Sequence, residues 1–251
     1  MKFKTSISKI TEEDVIIREN KLSDLIKKGS FSDTIFLLLN SRNPTPAEAS
    51  LFNAILSAII DHGMGTTSSL SSRFIMSGGN PVNAAVAGGI LAIGDYHGGA
   101  IENTMRQLLH LADETTDGII SWVSEMISTK KAIFGFGHKV YKKIDPRVKT
   151  IIEIAEEISF NSRYIPILQT IESSIEKIKG RKIILNIDGL IAGLLLDMGF
   201  DPAIGKGIFI IGRVPGLVAQ VVEEQIFEKP VRRIDEEEII YDPDVHNMNK
   251  I

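Results

Sequence analysis

Cysteine is absent from the 251 residues. That removes disulfides, thiolate metal sites and a thiol nucleophile from consideration. A surplus of positive charge is also missing: the net charge is −4. Broad attraction to nucleic acid, which needs clustered cations to displace counterions, is therefore not expected. A local basic site can still hold a small anion, because a site depends on its own field. Long apolar runs are broken by charge. Asp188 and Asp197 interrupt Ile183–Phe200, and Arg213 interrupts Ile208–Val222, so no run reaches the ~20 apolar residues of a membrane helix. The N-terminal residues Met-Lys-Phe-Lys-Thr-Ser lack the apolar core of a signal peptide. The expectation is a soluble, cytoplasmic protein. No His-x-x-x-His pair, Gly-x-Ser-x-Gly elbow, Walker loop or Gly-x-Gly-x-x-Gly occurs. Zinc, serine-hydrolase and nucleotide chemistry thus have no motif to stand on, and no metal is expected.

What is present is helix punctuation. Hydrophobic residues make up 43% of the chain, enough for a real core in one large domain, or in a large and a small one. Thr45-Pro46-Ala47-Glu48 reads as a helix start with a capping box. Leu51, Phe52, Ile55, Leu56 and Ile59 follow it as one apolar face. Asn80-Pro81, Asp145-Pro146 and Asp201-Pro202 repeat the cap-then-proline start. Residues 31–40, 66–77, 98–112, 116–128 and 162–178 also read as helices. A long helix is expected over 203–227, with Pro215 as a kink. Residues 5–18 suggest a short hairpin or arm, and the chain after Phe227 is polar. The fold class is all-α.

The five histidines are distributed unevenly. His62 follows an apolar helix in Asp61-His62-Gly63. His97 lies in Gly94-Asp95-Tyr96-His97-Gly98-Gly99-Ala100, and His138 in Gly135-Phe136-Gly137-His138-Lys139. Glycines allow sharp turns and close backbone approach, so a histidine beside them can face a ligand from a loop. Each could equally be a turn or cap residue. His110 falls within a helical pattern and reads as structural, and His246 falls in the polar tail. Asn186-Ile187-Asp188-Gly189 opens another helix, with Asp188 in its first turn. That carboxylate can serve the helix dipole or act as a base. Arg147, Arg213, Arg232 and Arg233 could pair with carboxylates or be surface charge.

Taken together these segments resemble the citrate synthase superfamily. The resemblance rests on Gly135-Phe136-Gly137-His138-Lys139-Val140-Tyr141-Lys142 with Asp145-Pro146-Arg147, on His97-Gly98-Gly99-Ala100, on Asn186-Ile187-Asp188, and on Gly212-Arg213-Val214-Pro215-Gly216, in the family's order. The segments Thr5–Ile10 and Phe31–Leu39 add to it. The chain departs from ordinary synthases in four ways. It is shorter between Pro46 and Asp61. It has Gly63 where synthases usually have Glu, Gly94-Asp95 where they have Gly-Pro, and Gly189 where they have an aromatic. These departures resemble the citryl-CoA lyase module of ATP-citrate lyases and its free-standing relatives.

The resemblance implies a citrate synthase-like multi-helical fold, shortened near its N-terminus. It implies a large helical domain (1–115 and 185–251) and a small CoA-binding one (116–184). It implies cleavage of citryl-CoA to acetyl-CoA and oxaloacetate, with His138 as base toward the hydroxyl, His97 as donor to the thioester oxygen, and Asp188 as the group exchanging a proton with the acetyl carbon. His62, Arg147 and Arg213 would hold carboxylates, and Arg232 or Arg233 would come from a neighbouring copy in a homodimer or tetramer. Gly135, Phe136, Gly137 and Lys142 would meet coenzyme A. A separate citryl-CoA synthetase is implied, since the chain has no ATP motif. Two other readings stand beside this one: a citrate or 2-methylcitrate synthase, and a non-catalytic CoA-binding subunit of a citrate-cleaving complex.

Overall fold

The computed structural model describes residues 2–242, so His246 lies outside the described residues. Within them the chain forms eleven α-helices and one small antiparallel sheet. The sheet is the N-terminal arm. Strands β1 (Ser8–Ile10), β2 (Val15–Ile17) and β3 (Asn20–Lys21) pair in sequence order, with Lys9 opposite Ile16 and Ile16 opposite Lys21. The expected hairpin is thus a three-stranded meander.

The helices are α1 (Leu22–Lys28), α2 (Phe31–Asn40), α3 (Pro46–Ala58), α4 (Thr67–Ser77), α5 (Val82–Leu91) and α6 (Ala100–Leu111), then α7 (Thr116–Ser128), α8 (Pro146–Glu157), α9 (Tyr164–Lys179), α10 (Ile187–Asp197) and α11 (Gly205–Phe227). Their starts follow the chain's own signals. Thr45 and Glu48 form the capping box of α3, Asp145 accepts from the Arg147 amide at the start of α8, and Asn186 accepts from the Gly189 amide at the start of α10. Each such cap is worth about 1 kcal/mol. Asn80 departs from expectation. Its side chain donates back to Ile75 O and so closes the end of α4, while Pro81 occupies the cap position of α5. Asp201 opens a 3-10 turn, Pro202–Ile204, that runs into α11. Helix α11 continues through Pro215.

Helix α10 is the axis of the core. Leu190, Ile191, Ala192, Leu194 and Leu195 are all fully buried, as expected of a helix that is apolar on every side. It packs against α6 and α9. Phe36, Phe52 and Phe200 interlock beside it, with ring centroids 5.0–5.7 Å apart, and tie α2 and α3 to the turn after α10. By length and composition Pro202–Phe227 could cross a membrane. It instead sits against α3, α4, α5 and α6, with Arg213 and Glu224 both buried, which is the behaviour of a core helix.

Candidate active site

Asp188, His62, His97, His138, Arg147 and Arg213 come from six separate places in the chain. All of them line one cleft of about 510 Å³. Local backbone chemistry brings them there.

The His138 loop is stitched to the start of α10. Gly137 N donates to Ile184 O (2.7 Å), Asn186 N to Gly135 O (3.0 Å), and Asn186 Nδ2 to Gly137 O (2.9 Å). Gly135 and Gly189 make this approach possible. A Cβ on Gly189 would lie 2.4 Å from Gly135 O, and Gly135 itself has φ +84°. Asn186 therefore does more than cap α10. It holds the histidine loop beside Asp188.

His138 is fixed by its own loop. Its Nδ1 accepts from the Val140 and Tyr141 amides (3.1 and 3.0 Å), and the Tyr141 ring stacks on it at 4.5 Å. An imidazole whose Nδ1 is an acceptor carries its neutral-form proton on Nε2. That nitrogen lies 3.5 Å from Arg147 Nη2. Asp145, fully buried, grips Arg147 through both Nε and Nη2 (3.0 and 2.7 Å), so the guanidinium is aimed by a carboxylate behind it. Burial is the largest single influence on the Asp145 carboxyl and pushes it up, but the Arg147 hydrogen bonds and charge, with His138, together outweigh it and hold the carboxyl below its ordinary range.

His97 sits in a tight turn closed by Gly98 (φ +86°), whose Cα faces Phe209 so closely that a Cβ would fall 2.5 Å from the ring. The imidazole meets the Phe209 ring edge-on at 5.6 Å. Its Nε2 is 2.8 Å from Ser68 Oγ. Burial, together with nearby positive charge, pushes the pKa of His62, His97 and His138 down, which keeps all three neutral near pH 7. His62 faces His138 edge-on, 5.4 Å between centroids.

Asp188 occupies the first turn of α10. Burial raises its pKa from 3.8 to about 6, against the pull of Arg147 and Arg213. Arg213 is only 2% exposed. Its Nε donates to Ile59 O (2.8 Å), it lies over the Phe209 ring, and its buried Nη1 has no hydrogen-bond partner. A buried guanidinium nitrogen without an acceptor costs on the order of 1–3 kcal/mol. Arg213 lines the cleft, and a guanidinium has the chemistry to receive an anionic oxygen there.

The remaining residues named from the sequence fall elsewhere. Lys142 lines an adjoining cavity of about 220 Å³ with Gly137, Tyr141, Arg181 and Lys182. Phe136 lines a third cavity, with Lys130, Lys131 and Lys179 on its rim. Gly135 is buried under α10. Arg232 is outside the cleft, forked onto Glu224 at 2.8 and 2.7 Å. Arg233 is exposed. His110 is exposed in the last turn of α6. Sequence reading missed Ser68, which hides in the run Thr66-Thr67-Ser68-Ser69 that looks only like a helix start. It also missed Arg181 and Lys182. The signal for these two was regional charge: residues 116–184 hold twelve Lys and Arg against eight Asp and Glu in a chain that is net acidic. Among the described residues no cluster of His, Asp and Glu has the makings of a metal site.

These features define a mainly helical protein whose cleft gathers neutral imidazoles, a raised carboxyl and two guanidinium groups, one gripped by a carboxylate and one with an unpartnered nitrogen. The chain belongs to the citrate synthase family: the family's model of the citrate synthase C-terminal domain matches residues 39–234. It is 30% identical to a citrate synthase of Deinococcus radiodurans over 207 residues, 80% of this chain and 53% of that one. The chain spans about half the length of the curated relatives it matches. Its fold is similar to that of citryl-CoA lyase from Hydrogenobacter thermophilus (TM-score 0.89, 41% identity, 96% of this chain and 94% of that one). It also shares the fold of ATP citrate lyase from Methanothrix soehngenii (TM-score 0.86, 24% identity, 96% of this chain and 42% of that one).

Proposed function

We propose that this chain cleaves citryl-CoA to acetyl-CoA and oxaloacetate. The observation that carries the reading is the convergence of His97, His138 and Asp188 on one cleft, with the Asp188 carboxyl at about 6. A group near the working pH can both give and take a proton.

The roles follow from the hydrogen bonds. Ser68 Oγ lies 2.8 Å from His97 Nε2; we assign the hydroxyl as the donor, which puts the neutral ring's proton on Nδ1, the donor left for the thioester oxygen. Charge that builds there as the carbon–carbon bond breaks meets a donor already in place. Asp188 then protonates the enol carbon and releases acetyl-CoA. His138 serves the tertiary hydroxyl. In the condensing direction its Nε2–H donates to the ketone oxygen as that becomes an alkoxide. In cleavage Nε2 takes the hydroxyl proton after passing its own resting proton to solvent, and the anionic ring formed in between is stabilised by the two amides at Nδ1 and by Arg147. His62, Arg147 and Arg213 hold carboxylates. Lys142, Arg181 and Lys182 suit the phosphates of coenzyme A, and residues 116–184 form its domain.

Arg232 is committed to Glu224 within its own chain. Of the two tail arginines, Arg233 is therefore the one to enter a neighbouring copy's cleft, which makes the working unit a homodimer or tetramer. A separate synthetase would supply citryl-CoA, and the cytoplasm would be the setting.

The relatives of similar sequence that are citrate and 2-methylcitrate synthases favour a second reading, condensation followed by thioester hydrolysis. Supplying citryl-CoA decides between them. Acetyl-CoA with oxaloacetate supports the lyase, free citrate with coenzyme A supports the synthase, and no turnover by the isolated chain overturns both.

A further inference from the structure

The loop that carries His62 lies directly on α11, and one face of that helix holds it. A Cβ on Gly212 would fall 2.5 Å from the Ile59 side chain, and one on Gly216 would fall 2.1 Å from Ile60 O. Between them Arg213 Nε ties Ile59 O. One turn further along the same face, Gln220 Nε2 points at the Asp61 carboxylate, 3.3 and 3.5 Å from its two oxygens. Residues 212, 213, 216 and 220 recur at helical spacing, so they form one stripe beneath the loop.

Asp61 closes the turn around the histidine. Its Oδ2 accepts from the Gly63 amide (2.9 Å), and Gly63 has φ +80°. His62 is thus bracketed by a carboxylate on one side and by the amide that this carboxylate binds on the other. The Gln220 amide has only one workable orientation. Arg73 Nη1 donates to its Oε1 at 2.8 Å, and a guanidinium only donates, so the amide nitrogen must face Asp61. Arg73 is itself 2% exposed and neutralised by Glu224 and Glu223 at 2.8 and 2.9 Å. The chain of contacts therefore runs from a buried ion pair, through one oriented amide and one carboxylate, to the imidazole that faces His138.

We propose that Gln220 and Asp61 are positioning residues of the reaction: they fix the His62 imidazole for the carboxylate end of the substrate and leave the coenzyme end untouched. This rests on the reading of the cleft as a carboxylate and CoA site. It assigns work to two residues that touch neither the reacting atoms nor the thioester.

The test uses the full chain with Gln220→Leu and, as a second variant that keeps an oxygen acceptor for Gly63, Asp61→Asn. Calorimetric titration gives the Kd of oxaloacetate and, separately, of coenzyme A. The His62 ring resonance, identified through His62→Gln, is titrated with pH. For Gln220→Leu the expected result is a loss of oxaloacetate affinity of about tenfold, an unchanged coenzyme A affinity, and a His62 titration midpoint that moves up toward the ordinary histidine value as the ring leaves its neighbours. Asp61→Asn should show the same selective loss of oxaloacetate affinity. Unchanged oxaloacetate affinity and an unchanged His62 midpoint in Gln220→Leu would overturn the proposal. So would equal losses for both ligands, which mean general loosening. If the wild-type chain binds neither ligand, the reading of the cleft fails, and the His62 titration decides the positioning by itself.

Discussion

Two places in this molecule bury charge, and they treat it in opposite ways. Between α4 and α11, Arg73 and Glu224 are each 2% exposed and fully paired: Glu224 accepts from Arg73 on one side and is forked by Arg232 on the other. In the cleft, Arg213 is as deeply buried yet leaves Nη1 without a partner, and Asp188 is driven up to about 6 by burial. The paired cluster holds three segments of chain together. The cleft groups cost stability, and on the function proposed above a multiply charged ligand would satisfy them. The difference separates charge used for folding from charge held ready for chemistry.

The largest effect should come from the chemistry. His97→Ala, His138→Ala and Asp188→Asn should each lower citryl-CoA turnover by about 10²–10⁴-fold, the usual worth of a positioned acid or base, with far smaller changes in ligand affinity. Losses of tenfold or less in all three would erase the distinction drawn for the cleft. Next comes the paired cluster. Glu224→Ala removes the buried carboxylate shared by two guanidinium groups, leaving Arg73 with Glu223 and Gln220 and Arg232 with Glu228, and should cost about 3 kcal/mol, which thermal denaturation would register as a fall of roughly 6–12 °C in Tm. Arg213→Met, which removes a cation with an unmet donor, should cost less than half as much stability while weakening oxaloacetate binding.

Asp188→Asn should do the reverse of Glu224→Ala. The folded state holds the Asp188 proton more tightly than the unfolded chain, whose value is near 3.8. Ionisation therefore opposes folding increasingly as pH rises from about 4 to 6, and fully above that. The amide variant should be about 1–3 kcal/mol more stable than wild type at pH 7.5, and scarcely different at pH 4. The smallest effect belongs to the open coenzyme side. Lys142→Ala should weaken coenzyme A binding about two- to fivefold, as for one exposed charge pair, with the difference shrinking at high salt.

Much of this was legible in the chain. Proline and capping residues marked α3 and α8 because their signals are local, and the His97, His138 and Asp188 segments stood out because glycines flank them or a cap precedes them. Asn80 misled for a physical reason: a short polar side chain can serve the helix before it as well as the one after. Ser68 and Gln220 were invisible. Each acts through a partner far away in sequence, His97 in one case and Asp61 in the other, and a serine in a polar run or a glutamine on a helix carries no mark of that. Arg232 and Arg233 are adjacent in the chain, and only the fold, by committing the first to Glu224, tells them apart.

The claim that the cleft holds a carboxyl raised by burial can be read directly. Carbon-13 NMR of aspartate-labelled protein, with the Asp188 carboxyl assigned through Asp188→Asn, gives its titration midpoint in the absence of ligand. A midpoint near 6 is the predicted result. A midpoint near 3.8, the ordinary value for aspartate, would contradict it.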